Sequence, residues 1–90
     1  MMAQQSPEAE VEQTIRDLLA QALGDNVGRI ASLPAETELF GPEIGLSSLA
    51  GAALLSGLQR RFGVDVADRD LNLDSLQSIA TLRDFVVTNM

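Results

Sequence analysis

Ninety residues make one domain, and its hydrophobic core must be modest. With no cysteine and no histidine, disulfides, Cys/His zinc sites, thiol nucleophiles and imidazole acid–base chemistry are all excluded. Thirteen acids against six Arg/Lys residues, all of them arginine, leave a formal charge of −7, and three Phe are the only aromatics; nucleic acid is therefore excluded as a partner, while a basic patch on another protein suits the charge.

No run of about 18 apolar residues occurs, so no transmembrane span is expected. Met1 to Ser6 lacks the basic and apolar regions of a signal peptide, and a cytoplasmic protein is the expectation. Residues 1–5 should be frayed, with the folded domain occupying 6–90. Ser6-Pro7-Glu8 reads as a helix start, with Ser6 at the N-cap and Pro7 at the first helical position. Val11, Ile15, Leu18, Leu19, Ala22 and Leu23 follow at helical spacing. Glu10, Glu12, Gln13, Arg16, Asp17 and Gln21 fall mostly on the other face, and Gly24 is the predicted stop.

Gly24 to Ser47 is a long connection punctuated by Gly28, Pro34, Gly41, Pro42 and Gly45. Such a length requires anchoring. Val27, Ile30, Leu33, Leu39, Phe40, Ile44 and Leu46 are the predicted anchors, with room for a helical turn around Asp25 to Ala31. A second long helix starts near Ser48, with Leu49, Ala52, Ala53, Leu55 and Leu58 as its apolar side and Leu54 pointing elsewhere, partly exposed. Gly51 and Gly57 each cost about 1 kcal/mol in a helix interior, which calls for close packing or for room beside the backbone. Arg60 and Arg61 suit the C-terminal dipole, and Gly63 ends the helix. Asp68 to Asp74 holds a short acidic helix or turn, and Ser78 caps a last helix carrying Ile79, Leu82, Phe85 and Val86. The pattern is all-α: a four-helix bundle with a long loop between its first and second helices and a short third helix.

Enzymatic chemistry fails on inventory. A serine nucleophile needs a base, and neither His nor Lys is present. The carboxylate pairs Glu36/Glu38 and Asp68/Asp70 read as solvated surface, because nothing apolar encloses them. What remains is a serine at a helix start, Gly45-Leu46-Ser47-Ser48-Leu49. Such a serine can cap the helix, or carry a phosphate that the helix end stabilises.

From Leu39-Phe40 to Phe85-Val86 the chain resembles the acyl carrier protein family. Leu46-Ser47-Ser48-Leu49 stands where that family has its Asp-Ser-Leu motif, and Phe62-Gly63-Val64-Asp65-Val66 resembles its Phe-Gly-x-x-Ile at the end of the second helix. Ala67 to Asp70 resembles the acidic lead into the third helix, and Ser78-Ile79 through Val86 the last helix. The resemblance covers about residues 8 to 88 and implies the acyl-carrier-like bundle, with 4′-phosphopantetheine attached to Ser48 by a phosphopantetheinyl transferase. The arm's thiol would hold an acyl, aminoacyl or peptidyl cargo as a thioester for loading and downstream biosynthetic enzymes. Nothing in the sequence calls for more than a monomer.

Two departures from the family pattern stand out. Ser47 replaces the Asp that normally precedes the modified serine, and the helix from Ala50 to Phe62 carries no acid, only Arg60 and Arg61. The second points to a dedicated partner set and an apolar docking surface around Ala50, Gly51 and Leu54, as in a specialised biosynthetic carrier of fatty acid, polyketide or peptide type. The first admits an alternative, an unmodified interaction module that keeps the carrier fold and has lost the cofactor. Leu73-Asp74-Ser75-Leu76 spells the family motif literally, but too little chain follows Ser75 to complete the bundle.

Overall fold

A computed structural model describes residues 7–25, 28–63 and 76–89. Four helices are described: α1 (Pro7–Leu23), α2 (Arg29–Ser32), α3 (Ser48–Phe62) and α4 (Ile79–Thr88). No strand occurs among the described residues, only an isolated antiparallel bridge between Glu38 and Ser78. The all-α bundle with its long loop between the two longest helices is thus observed. The short helix expected at 68–74 and the Ser6 cap lie outside the described residues, as does Val27.

α1 is the common partner of the bundle, and α2, α3 and α4 each pack against it. Its buried stripe is Val11, Ile15 and Leu19, at the spacing that brings side chains to one face. Ile30, Leu39, Ile44 and Leu46 from the loop, Ala50, Leu54 and Leu58 from α3, and Ile79, Leu82 and Val86 from α4 complete the core. Gly24 takes the left-handed conformation (φ 68°) and the Asp25 N–H closes on the Ala20 carbonyl, ending α1 where glycine was expected to end it.

Arg16 of α1 departs from the amphipathic pattern to hold the loop, and Glu12 holds Arg16. Arg16, expected on the solvent face, is buried with its guanidinium pointing at the connection. Its Nη1 donates to the Ile30 carbonyl (2.9 Å) and the Leu33 carbonyl (2.6 Å), while Nε and Nη2 donate to Glu12 Oε2 at 3.1 and 2.9 Å. The other Glu12 oxygen accepts from Arg83 of α4 at 2.8 Å, so one carboxylate ties α1 to α4 while steadying the loop's anchor. Burial pushes the Glu12 carboxyl up, but the hydrogen bonds and charges of Arg16 and Arg83 together outweigh it and hold the group below its usual range. Hydrogen bonds to Asp84 and Glu12 raise Arg83 in turn.

The connection is anchored along its length. Asp25 caps α2 from a distance, accepting the N–H of Arg29 (3.2 Å) and Ile30 (2.8 Å), since Gly28 at the N-cap has no side chain to do so. Further on, the Leu39 N–H donates to the Gln77 carbonyl and the Ala80 N–H to the Ala35 carbonyl, lashing the loop to the start of α4. Of the predicted anchors, Ile30, Leu39, Ile44 and Leu46 are buried, but Phe40 is 55% exposed and anchors nothing.

The rotation of α3 about its axis differs from the expected one. Ala50, Leu54, Gly57 and Leu58 face the core, with Leu54 fully buried, whereas Leu49 is 84% exposed and Ala52 and Ala53 are exposed with it. A close fit at Gly57 goes with this rotation: a Cβ there would sit 2.6 Å from Leu18 Cδ2, so α3 packs against α1 at this glycine with no room for a side chain unless Leu18 moves. Turning the helix to bury Leu49 would put a side chain into that contact. Gly51 is under no such pressure, as a Cβ there would meet Leu46 Cδ2 at an ordinary 3.7 Å.

Candidate functional site

The loop enters α3 through Gly45, which adopts φ 63° and so turns the chain at a position few other residues accept. The Gly45 N–H donates to the Gly41 carbonyl (2.7 Å) and the Leu46 N–H to the Leu39 carbonyl (2.9 Å). Leu46 is buried under the turn, and the next two residues, Ser47 and Ser48, emerge into solvent. The entry is therefore held from below by an apolar anchor and from the side by two backbone bonds.

The two hydroxyls have different work. Ser47 is the N-cap: its backbone is extended (φ −92°, ψ 167°) and its Oγ accepts the Ala50 N–H at 3.1 Å. Its carbonyl accepts the Gly51 N–H, the first bond of the helix. Ser48 is the first residue of α3 and is exposed. The cap role thus falls to Ser47, and the adjacent Ser48 does not compete for it.

The electrostatics at Ser48 suit an anion. The first turn of α3 contains no acid, and a helix N-terminus presents unpaired N–H groups and the positive end of the dipole. A phosphate ester at that point would be stabilised by both. The carboxylates Glu36 and Glu38 are exposed on the loop. Asp68 and Asp70 lie outside the described residues.

Beside Ser48 opens a cleft of ≈290 Å³. Phe40, Leu46, Gly51, Leu55 and Leu76 wall it, and Ser47 and Ser48 are its only polar lining residues among those described. The exposed Phe40 thus has a place: it sits over this cleft instead of in the core. The sequence counts it among the apolar anchors of the loop, but of the adjacent pair only Leu39 is buried and Phe40 is exposed. Ser75, the literal motif match, lies outside the described residues.

Residues 13–85 match the family described as "Phosphopantetheine attachment site". The chain belongs to that family. Its members carry 4′-phosphopantetheine covalently, so this protein is a phosphopantetheine-bearing carrier. Compared with curated proteins and with solved structures, the carrier gives no match. An exposed hydroxyl at a helix N-terminus, with an apolar cleft beside it and no acid in the first turn, is chemically suited to the group the family carries. Among the described residues no helix of the carrier is long and apolar enough to cross a membrane.

Proposed function

We propose that Ser48 is the attachment site and that the chain is a carrier of acyl, aminoacyl or peptidyl groups in a specialised biosynthetic pathway. One observation carries this reading: the Ser47 oxygen is occupied in capping α3, while the adjacent Ser48 hydroxyl is exposed beside the apolar cleft. The arm, when attached, supplies a thiol on which cargo is held as a thioester; the chain has no cysteine of its own. The Ser48 hydroxyl oxygen would form the new bond to the pantetheine-bearing phosphorus of coenzyme A, the pyrophosphate bond breaking so that 3′,5′-ADP leaves. The hydroxyl proton would pass to the transferase, since the chain has neither His nor Lys. The first turn of α3, which carries no acid, would stabilise the phosphodiester through its N–H groups and dipole. Leu46, Leu55 and Leu76 offer an apolar wall to whatever part of the arm or cargo folds back. Loading, elongation and release fall to partner enzymes, since the chain has neither a His nor a Lys to serve as a base.

The Ser47 substitution fits this division of labour in part. A serine caps a helix about as well as the aspartate that the acyl carrier pattern places there. It does not supply the negative charge, so a transferase that reads that charge loses one contact.

The test is intact-mass spectrometry after incubation with coenzyme A and a promiscuous phosphopantetheinyl transferase. Wild type should gain one phosphopantetheine group, Ser47→Ala should gain it as well, and Ser48→Ala should gain none. A wild-type chain that takes up nothing would instead favour the interaction module without cofactor, and an unchanged gain in Ser48→Ala would move the site elsewhere.

A further inference from the structure

The entry to α3 is fixed through a chain of hydrogen bonds that begins at the start of α4. The Leu46 N–H donates to the Leu39 carbonyl at 2.9 Å, and the Leu39 N–H donates to the Gln77 carbonyl at 3.0 Å. Leu39 is fully buried and Leu46 nearly so, so the core also clamps the two residues that carry these bonds. The Gln77 carbonyl and the Ser78 N–H belong to one planar peptide group, so whatever orients the N–H orients the carbonyl. That orienting group is the Thr81 hydroxyl. Its Oγ1 accepts the Ser78 N–H at 2.9 Å and donates to the Ser78 carbonyl at 3.0 Å. The cap of α4 itself is a different bond, from the Thr81 N–H to the Ser78 Oγ at 3.2 Å. Thr81 thus serves its own helix through its backbone and the loop through its hydroxyl. A second tie, from the Ala80 N–H to the Ala35 carbonyl at 2.8 Å, reaches the loop farther from Ser48.

We propose that Thr81 is a positioning residue for arm attachment at Ser48, acting through the Gln77 carbonyl and the Leu39 backbone on the entry to α3. The proposal rests on Ser48 being the attachment site. Ser47 and Ser48 stand in solvent, so their placement depends on what holds Leu46 beneath them. Attack on coenzyme A requires the Ser48 oxygen to stand in line with the phosphorus, and a small misplacement of a reacting atom costs much of the rate. Loss of the Thr81 hydroxyl frees the Gln77–Ser78 peptide group to tilt, loosens Leu39 and Leu46 in turn, and widens the range of positions that Ser48 samples. Thr81 is half-buried and does not line the cleft, so its substitution leaves every residue around Ser48 unchanged. The effect therefore falls on the transfer step and not on the capture of the carrier by the transferase.

The experiment measures single-turnover arm transfer from coenzyme A by a promiscuous phosphopantetheinyl transferase, as a function of transferase concentration. The chains are full-length wild type, Thr81→Val, Thr81→Ser and Ile15→Val. Thr81→Val keeps the side chain's shape and removes the hydroxyl, Thr81→Ser keeps the hydroxyl, and Ile15→Val trims the core outside the chain of bonds. Circular dichroism will confirm that all four are folded at the assay temperature. Thr81→Val should lower the maximal rate by about fivefold while the half-saturating transferase concentration changes by less than about twofold. Thr81→Ser and Ile15→Val should stay within about twofold of wild type in both. Hydrogen exchange should show the Leu39 and Leu46 N–H groups exchanging about tenfold faster in Thr81→Val than in Ile15→Val. An unchanged maximal rate in Thr81→Val, or an equal fall in Thr81→Ser or Ile15→Val, would overturn the positioning role and leave Ser48 in place. Failure of wild type to accept the arm, or transfer that persists in Ser48→Ala, removes the attachment site and the positioning role with it.

Discussion

Ser47 and Ser78 do the same local job. Each sits in extended backbone before a helix, and each accepts through its Oγ the N–H of the residue three positions on, Ala50 for Ser47 and Thr81 for Ser78. Their surroundings differ. Ser78 is buried, its own N–H is returned to the Thr81 hydroxyl in a reciprocal capping box, and its backbone is bridged to Glu38 of the loop. The residue after it, Ile79, is fully buried. Ser47 is exposed, has Ala50 where a box would need a polar partner, and is followed by the exposed Ser48. The start of α4 is closed on every side, while the start of α3 is closed beneath and open above. One capping motif serves packing in the first case and presentation in the second, and the loop joins the two by binding tightly to α4 and delivering Ser48 to solvent.

The most severe way to break this contrast is to release the loop. Arg16→Met keeps much of the side chain's length but removes the guanidinium donors to the Ile30 and Leu33 carbonyls and one of the two arginines that share Glu12. Losing these charge-assisted bonds, and leaving the Leu33 carbonyl without its guanidinium donor, should cost about 3 kcal/mol, read as a shift in the denaturant midpoint at unchanged slope. A loss below about 1 kcal/mol would show that the Arg16 bonds do not hold the connection. The caps themselves come next. Ser78→Ala removes a buried, reciprocated cap and should cost about 1.5–2 kcal/mol, against about 0.5–1 kcal/mol for Ser47→Ala at an exposed one. Equal losses in chemical denaturation would mean that the two helix starts are alike in energy despite their surroundings.

Much of this contrast is legible in the amino-acid order. Ser78 before an apolar periodic run, and the paired serines before another, mark both helix starts; Gly24 and Gly63 mark two ends, and Gly63 indeed closes α3 in the left-handed conformation with its N–H on the Gln59 carbonyl (2.8 Å). The anchors Ile30, Leu39, Ile44 and Leu46 are recognisable because isolated apolar residues in a Gly/Pro-rich loop have nowhere else to go. The role of Arg16 is not, since its partners are backbone carbonyls, which leave no trace in side-chain identity. A Glu12–Arg16 pair at helical spacing reads equally well as a solvated ion pair. The rotation of α3 is also hidden: with Leu49, Leu54, Leu55 and Leu58 among alanines and glycines, its wheel offers two apolar arcs. Periodicity alone favoured the arc containing Leu49. The apolar surface expected around Ala50, Gly51 and Leu54 is largely core, and the exposed apolar face is Leu49, Ala52 and Ala53 instead.

If packing at Gly57 sets that rotation, the two glycines of α3 should respond to the same substitution with opposite signs. Gly→Ala in a helix interior gains up to about 1 kcal/mol from reduced backbone entropy in the unfolded chain. At Gly51 the added methyl meets only Leu46 at 3.7 Å, so Gly51→Ala should stabilise the fold by about 0.5 kcal/mol while narrowing the cleft that Gly51 lines. At Gly57 the methyl would lie 2.6 Å and 2.9 Å from the two Leu18 methyl carbons, which must move aside or push α3 away from α1. Overpacking of this kind costs about 1–3 kcal/mol, so the net effect of Gly57→Ala should be a loss of about 1 kcal/mol. The double variant Gly57→Ala with Leu18→Ala separates the two contributions, because removing the Leu18 methyls clears the space. The penalty for Gly57→Ala should then vanish or reverse in that background, a coupling measurable by thermal or denaturant unfolding of the four chains of the cycle. A penalty that persists without Leu18 would place the constraint in the backbone of α3, and the exposure of Leu49 would need a cause other than the contact between α1 and α3.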